Sequence, residues 1–432
     1  MHKIFVCLLS IFFATGAHAV SLINDTEIER VVTELVRPIA TAAEIPDNRL
    51  RVHIVRDDDF NAFVMGGDDV YIYTGLLTQI KSPDALQAVI AHELGHTIGG
   101  HMAQMSSRMA AEMQRAMLIQ ALGIGLMVAG GNPSLGAGVL AGSSGVAQQS
   151  MLAFTRDEER IADNMGLDLR VRAGQNPNGF IQVFEQMREI SGAAESRVNP
   201  TRVNHPLTTE RLKNVRDRIA KLNYTAPAAS ATRDAKFRLI QAKLIGYLDT
   251  ATRVRELYPY SDKSDAAIYA RAIASMQAGN LDAARVGTQT LISRHADNPY
   301  FYELLGDIEY QFGHYDDSVT AYSHSLKLAG NAPQIQTALA LVLTERNKSG
   351  DAAQAIELCK RALLVAPAPL TYWVLARAYG DDDGRGDWAR AEYYSMIGNT
   401  KNAKKYAKFA RQKLKSDAPE YIKSGDILNK SK

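Results

Sequence analysis

Two cysteines, Cys7 and Cys359, are all that the 432 residues contain, and Cys7 lies in an apolar leader. Once that leader is removed a single thiol remains, so no intramolecular disulfide can form and stability must come from packing and from any bound metal. A dominant charge is missing too: 49 Lys and Arg face 47 Asp and Glu, a formal net charge of +2. That balance gives no global attraction to nucleic acid, and no nucleic-acid partner is expected. Unbroken apolar runs stay short of the roughly 20 residues a membrane-spanning helix needs.

The first residues read as a processing signal. Lys3 precedes the apolar run IFVCLLSIFFATG, and Ala17, His18 and Ala19 supply a small-residue cleavage site before Val20. Residues 1–19 are therefore expected to be a secretory signal peptide, with an uncleaved anchor as the alternative. Export without a disulfide framework suits a bacterial periplasm.

Length predicts two or three domains. Residues 20–222 show a mixed α/β pattern, and residues 223–235, beginning NYTAPAASATRD, have the composition of a linker. Residues 236–432 look wholly helical and repetitive. Aligning Gly279, Gly313, Gly350 and Gly398 brings a small residue to the fifth following position each time: Ala284, Ser318, Ala355 and Ala403. The first two glycines lie 34 residues apart, the period of tetratricopeptide repeats, and later spacings of 37 and 48 are looser. The segment DDDGRGDWARAEYY is expected to add a turn. Such repeats stack into a solenoid that binds protein; a plain helical cap is the simpler alternative. From Lys401 on, ten Lys and Arg face three Asp and Glu. A solvated capping helix explains this; peripheral contact with an anionic membrane surface is the functional reading.

The chemistry sits in AVIAHELGHTIGGH, residues 88–101. Ser82 is placed as the N-cap of a helix, Pro83 at its first position, and Asp84 to complement the dipole. His92 and His96 then share one face, their backbones about 6 Å apart, a separation one zinc ion bridges. Glu93, turned about 100° away, is placed to take a proton from water acidified by the metal. Two candidates compete for the third ligand. His101 lies nine residues beyond His92, one short of the HExxHxxGxxH pattern, which would need a histidine where Met102 stands. The segment FTRDEERIADNMG instead offers Glu159, with Asp163 one turn later to orient a ligand histidine through its other ring nitrogen. Glu158 competes but faces away from the Asp163 row.

Four segments, NAFVMGGDDVYIYTGLL, HELGH, TRDEERIAD and NHPLTTERL, together resemble metallopeptidase family forty-eight, which includes the HtpX heat-shock protease and the CAAX prenyl protease. The signal peptide and repeats make the chain most similar to the periplasmic protease/chaperone branch. The resemblance implies an α+β, mainly α fold: a gluzincin-type zinc metallopeptidase domain followed by a tetratricopeptide-repeat solenoid. It implies one zinc ion per chain, with His92, His96 and Glu159 as ligands. It puts a catalytic or blocking histidine at His205, which either stabilises the oxyanion or fills the open zinc position; an ordinary loop histidine before Pro206 is the alternative. Arg211 would serve Asp163 or substrate. Implied substrates are unfolded or misassembled outer-membrane proteins, and the implied partner of the repeats is the outer-membrane β-barrel assembly machinery. A rival reading is a scaffold or chaperone with a latched zinc site.

Three further segments carry expectations. Val70 to Tyr73 reads as an edge strand that would pair with extended substrate, approached past Asn61, Gly66 and Gly67. Met105, Met109, Met113 and Met117 form a stripe at helical spacing, core or an adaptable client surface. Ala116 to Thr155 contains no charge, and GGNPS breaks it into two arms each too short to cross a membrane, so a hairpin covering the site is expected.

Overall fold

The computed structural model describes residues 21–101, 156–193, 205 and 208–429. The leader, the methionine stripe and the uncharged hairpin of residues 116–155 lie outside them. The described chain divides into two compact units: Val31–Phe237, and the remaining residues from its two ends. Strand β1 (Leu22–Ile23) and the first turn of α1 (Thr26–Ala42) belong to the second unit, the rest of α1 to the first.

Within Val31–Phe237 lie β2 (Arg51–Val55), β3 (Ala62–Met65) and β4 (Asp69–Tyr73). Strand β4 pairs with β2 in parallel, Val52 opposite Val70, and with β3 antiparallel, Ala62 opposite Ile72. This corrects the edge-strand expectation: Val70 to Tyr73 is bonded on both sides, and β3 is the outer strand of these three. The alternation Val70, Ile72 is real, both fully buried, but alternation reports one buried face and says nothing of how many neighbours a strand has. Gly66 and Gly67 turn the β3–β4 hairpin at φ of 63° and 91°, a left-handed conformation that glycine adopts without strain.

Helices α2 (Thr74–Gln79), α3 (Pro83–Ile98), α4 (Arg156–Arg172), α5 (Gly179–Ala193) and α6 (Thr209–Lys221) complete this unit. Helix α3 starts as its sequence predicts: Ser82 Oγ accepts from Ala85 N at 3.1 Å and Pro83 opens the first turn. Asp84 does more than complement a dipole, because it pairs with Arg170 at 3.1 Å and Arg233 at 2.9 Å. Helices α3 and α4 touch backbone to backbone. A Cβ on Gly95 would lie 2.5 Å from the Ala162 carbonyl, and one on Gly166 would lie 3.0 Å from the Ala91 backbone. Missing side chains at these two crossings bring the histidine face of α3 onto the carboxylate face of α4.

The other unit is helical beyond α7 (Ala231–Leu248) and α8 (Ala251–Leu257). It runs through the pairs α9 (Asp265–Gln277) with α10 (Leu281–Arg294), α11 (Pro299–Phe312) with α12 (Tyr315–Ala329), and α13 (Pro333–Arg346) with α14 (Asp351–Val365). Helices α15 (Pro369–Tyr379), α16 (Gly384–Met396), α17 (Thr400–Lys413) and α18 (Pro419–Asn429) follow. This is the tetratricopeptide-type arrangement of stacked helical pairs. All four aligned glycines have φ between 74° and 89°, and Ala284, Ser318, Ala355 and Ala403 are all buried. The 48-residue spacing has a larger cause than an added turn. Between Gly350 and Gly398 the chain inserts a whole extra helix, since α14, α15 and α16 stand where two helices would keep the period.

This unit also buries a cluster of charge. Lys243 Nζ lies 2.7 Å from Asp25 and 3.3 Å from both Glu27 and Glu303, while Tyr247 donates to Asp307 at 3.2 Å and Tyr269 to Glu27 at 2.9 Å. Tyr322 also donates to Asp307. Among the described residues no helix is long and apolar enough to cross a membrane.

Candidate metal centre

Four side chains from three segments converge in the first unit. One ligand-type atom from each of His92, His96, Glu159 and His205 lies within 4.8 Å of all the others. His92 Nε2 is 3.1 Å from His96 Nε2 and 3.4 Å from Glu159 Oε2, and His96 Nε2 is 3.5 Å from Glu159 Oε1. His205 Nδ1 closes the group, 3.4 Å from His92 Nε2 and 2.7 Å from Glu159 Oε1.

The set fits a divalent cation. Donors arranged tetrahedrally at about 2.1 Å from one ion stand about 3.4 Å from each other, close to the distances observed. The donor chemistry, imidazole nitrogens with one carboxylate, suits a borderline-soft ion. Two imidazole nitrogens 3.1 Å apart also repel unless a proton or a cation lies between them.

Electrostatics point the same way. Burial opposes charge on Glu159, yet hydrogen bonds from His205, His92 and His96 outweigh it and hold the carboxyl well below the usual range. Burial likewise pushes the His92 imidazole down, but bonds to Asp163 and Glu159 raise it to about 9. His96, buried with fewer such partners, falls to about 4. Of the His92 partners, Glu159 faces Nε2, where it favours a proton or any other cation, while Asp163 acts through Nδ1 on the far side of the ring. Glu93 is buried at 7% exposure and its carboxyl is raised, burial outweighing the attraction of His205 and His92. Its Oε1 stands 3.5 Å from His205 Nε2.

Other expected residues take definite positions. Asp163 Oδ1 lies 2.9 Å from His92 Nδ1, on the side of the ring away from the cluster. Helix α6 starts just after His205, capped by Thr208, whose Oγ1 accepts from Arg211 N at 3.2 Å. Arg211 binds Asp163 through Nε and Nη2 at 2.9 and 2.8 Å and also reaches Glu159, Nη1 to Oε2, at 2.5 Å. This second engagement was not legible in the sequence. His101 is not in the convergent group; its Nδ1 lies 3.0 Å from His96 Nδ1, the nitrogen facing away from the cluster. Glu158 is buried but also outside the group. An apolar pocket opens beside His92 and Glu93, lined by Leu76, Val89, Phe180, Val183, Phe184 and Met187. The four residues from α5 recur at positions i, i+3, i+4 and i+7, a helical stripe that marks a buried face without saying what it faces.

Residues 23–219 match the model of peptidase family M48. The beta-barrel assembly-enhancing protease of Escherichia coli (strain K12) is 24% identical over 394 residues, covering 88% of this chain and 78% of that protein. Its counterpart from Yersinia pestis is 25% identical over 420 residues, 94% of this chain and 82% of that protein. Metalloprotease YcaL of Escherichia coli (strain K12) is 29% identical over 164 residues, 38% of this chain and 59% of its own. Among solved structures, a thermophilic tetratricopeptide-repeat protein of Thermus thermophilus aligns at 16% identity over 44% of this chain and 91% of its own, with a TM-score of 0.26. Residues 23–219 are similar to peptidase family M48, and the protein is a metalloendopeptidase.

Proposed function

We propose that the protein is a periplasmic zinc metalloendopeptidase that degrades misassembled outer-membrane β-barrel proteins and aids their assembly as a chaperone. The observation that carries the reading is the convergence of His92, His96 and Glu159 beside Glu93, joined to similarity over most of the chain to beta-barrel assembly-enhancing proteases. His92, His96 and Glu159 would hold one zinc ion, which when bound supplies Lewis acidity toward a peptide carbonyl and acidifies water. Glu93 is the general base: its carboxylate takes the proton from the attacking water and returns it to the leaving amine. Asp163 keeps His92 oriented through Nδ1. The outer strand β3 offers backbone groups to an extended segment, and the pocket beside Glu93 takes an apolar side chain, which unfolded β-barrel segments expose. Helical pairs of the second unit suit docking onto the β-barrel assembly machinery. Cleavage of an unfolded outer-membrane β-barrel protein, but not of its folded form, by wild type and not by Glu93→Gln tests this. Equal cleavage by Glu93→Gln would overturn it.

A second reading follows from His205, whose Nδ1 stands among the ligand atoms. There the histidine fills the position that water or substrate needs, and the protein rests as a chaperone with a latched site. Of the two roles expected for His205, this geometry favours the latch over the oxyanion group. His205→Ala should then cleave casein faster than wild type; slower cleavage would return His205 to oxyanion stabilisation.

A further inference from the structure

Arg211 bridges the two carboxylates that frame the site. Its fork binds Asp163 with two bonds, Nε to Oδ2 at 2.9 Å and Nη2 to Oδ1 at 2.8 Å. The remaining nitrogen, Nη1, pairs with Glu159 Oε2 at 2.5 Å. The side chain is buried, its backbone is pinned by the Thr208 cap, and its guanidinium lies 5.1 Å over the Phe184 ring. Only a planar cation with several fixed donors spans three carboxylate oxygens this way; a lysine ammonium is a point charge. The other Glu159 oxygen, Oε1, faces His96 Nε2 and His205 Nδ1, while Oε2 itself lies 3.4 Å from His92 Nε2 and so within reach of the same ion.

A second cation beside a metal is hard to explain as an aid to metal binding, because like charges repel. Its geometry offers a better reason. A carboxylate binds a divalent ion through one oxygen or through both, and a glutamate that used both would fill the position a catalytic site must keep open. We propose that Arg211 is a positioning residue that holds Glu159 Oε2 and thereby limits Glu159 to one ligating oxygen, Oε1. The inference rests on the reading of Glu159 as a metal ligand. Through Asp163 the same guanidinium also sets the ring of His92, so one residue at the start of α6 governs two ligands on two other helices.

Cobalt(II) is the probe, because its visible absorption is intense when four-coordinate and weakens as coordination rises. Full-length wild type, Arg211→Gln, Arg211→Lys and Glu159→Gln would each be loaded with cobalt, with folding checked by far-UV circular dichroism. Wild type should show intense bands. Arg211→Gln should still bind cobalt with clearly weaker bands, and kcat on casein should fall about ten- to a hundredfold while KM holds. Arg211→Lys, which keeps the charge without the fork, should follow Arg211→Gln, and it carries the test if the glutamine variant fails to fold. An unchanged cobalt spectrum in the folded arginine variants overturns the proposal. The Glu159→Gln arm separates its failure from that of the ligand assignment: cobalt retained there with a wild-type spectrum would remove Glu159 from the metal altogether.

Discussion

Two buried clusters of charge among the described residues, the metal centre in one compact unit and the Lys243 group in the other, are balanced in opposite ways. At the metal centre Glu159 and Asp163 face His92, His96, His205 and Arg211, and both carboxyls are held below their ordinary range despite burial. In the helical unit Asp25, Glu27, Glu303 and Asp307 gather round Lys243. Burial dominates there. Glu303 is raised to about 8 and Asp307 to about 6, burial outweighing the attraction of Lys243 and the bond from Tyr322 respectively, and neighbouring Glu29 is raised to about 7. The first cluster holds its charges by matching them; the second keeps part of its charge neutral by holding protons. Matched, preorganised charge is what catalysis uses, whereas a proton-holding cluster makes stability depend on pH.

Both tryptophans of the chain, Trp373 and Trp388, lie in the helical unit, so tryptophan fluorescence follows that unit and metal content follows the other. Lys243→Ala removes the cation at the centre of its cluster and should destabilise the helical unit by about 3–5 kcal/mol, read as a lower urea midpoint by tryptophan fluorescence. A midpoint within error of wild type would break the comparison.

Next comes pH. A carboxyl raised by folding binds its proton more tightly in the folded state, so the stability it contributes is present below its unfolded value and is lost as pH rises through the folded one. For Glu303 that window runs from about 4.5 to about 8. Stability of the helical unit should therefore fall by about 4 kcal/mol between pH 5 and pH 9, and Glu303→Gln should flatten the fall. A urea midpoint that rises with pH across this range would contradict the assignment.

A smaller effect sharpens the other side. Gly95→Ala places a methyl group against the Ala162 carbonyl and should cost about 1–3 kcal/mol, with weaker metal retention during dialysis against a chelator. Smallest of all, Ser82→Ala removes the cap of α3 and should cost about 1 kcal/mol while metal content stays at the wild-type level.

What could be read in the sequence follows from how local each signal is. His92, Glu93 and His96 share one helix at fixed spacing, and Glu159 with Asp163 repeats that logic on another. The four glycines mark helix ends wherever the chain places them. The sequence could not say that β4 is central, because alternation at Val70 and Ile72 fixes a face and not a neighbour. β3 is too short to show any period. Nor could it reveal that Asp84 meets Arg170 and Arg233, that Arg211 reaches Glu159 as well as Asp163, or that residues 25, 27, 243, 303 and 307 form one cluster. Those pairings join distant segments, and no spacing rule connects them.

The most direct measurement is zinc per chain in wild type, Glu159→Gln and Glu93→Gln, purified side by side and assayed on casein. The account predicts one zinc in wild type, zinc lost in Glu159→Gln, and zinc kept with cleavage lost in Glu93→Gln. Zinc retained in Glu159→Gln, or cleavage retained in Glu93→Gln, would contradict it.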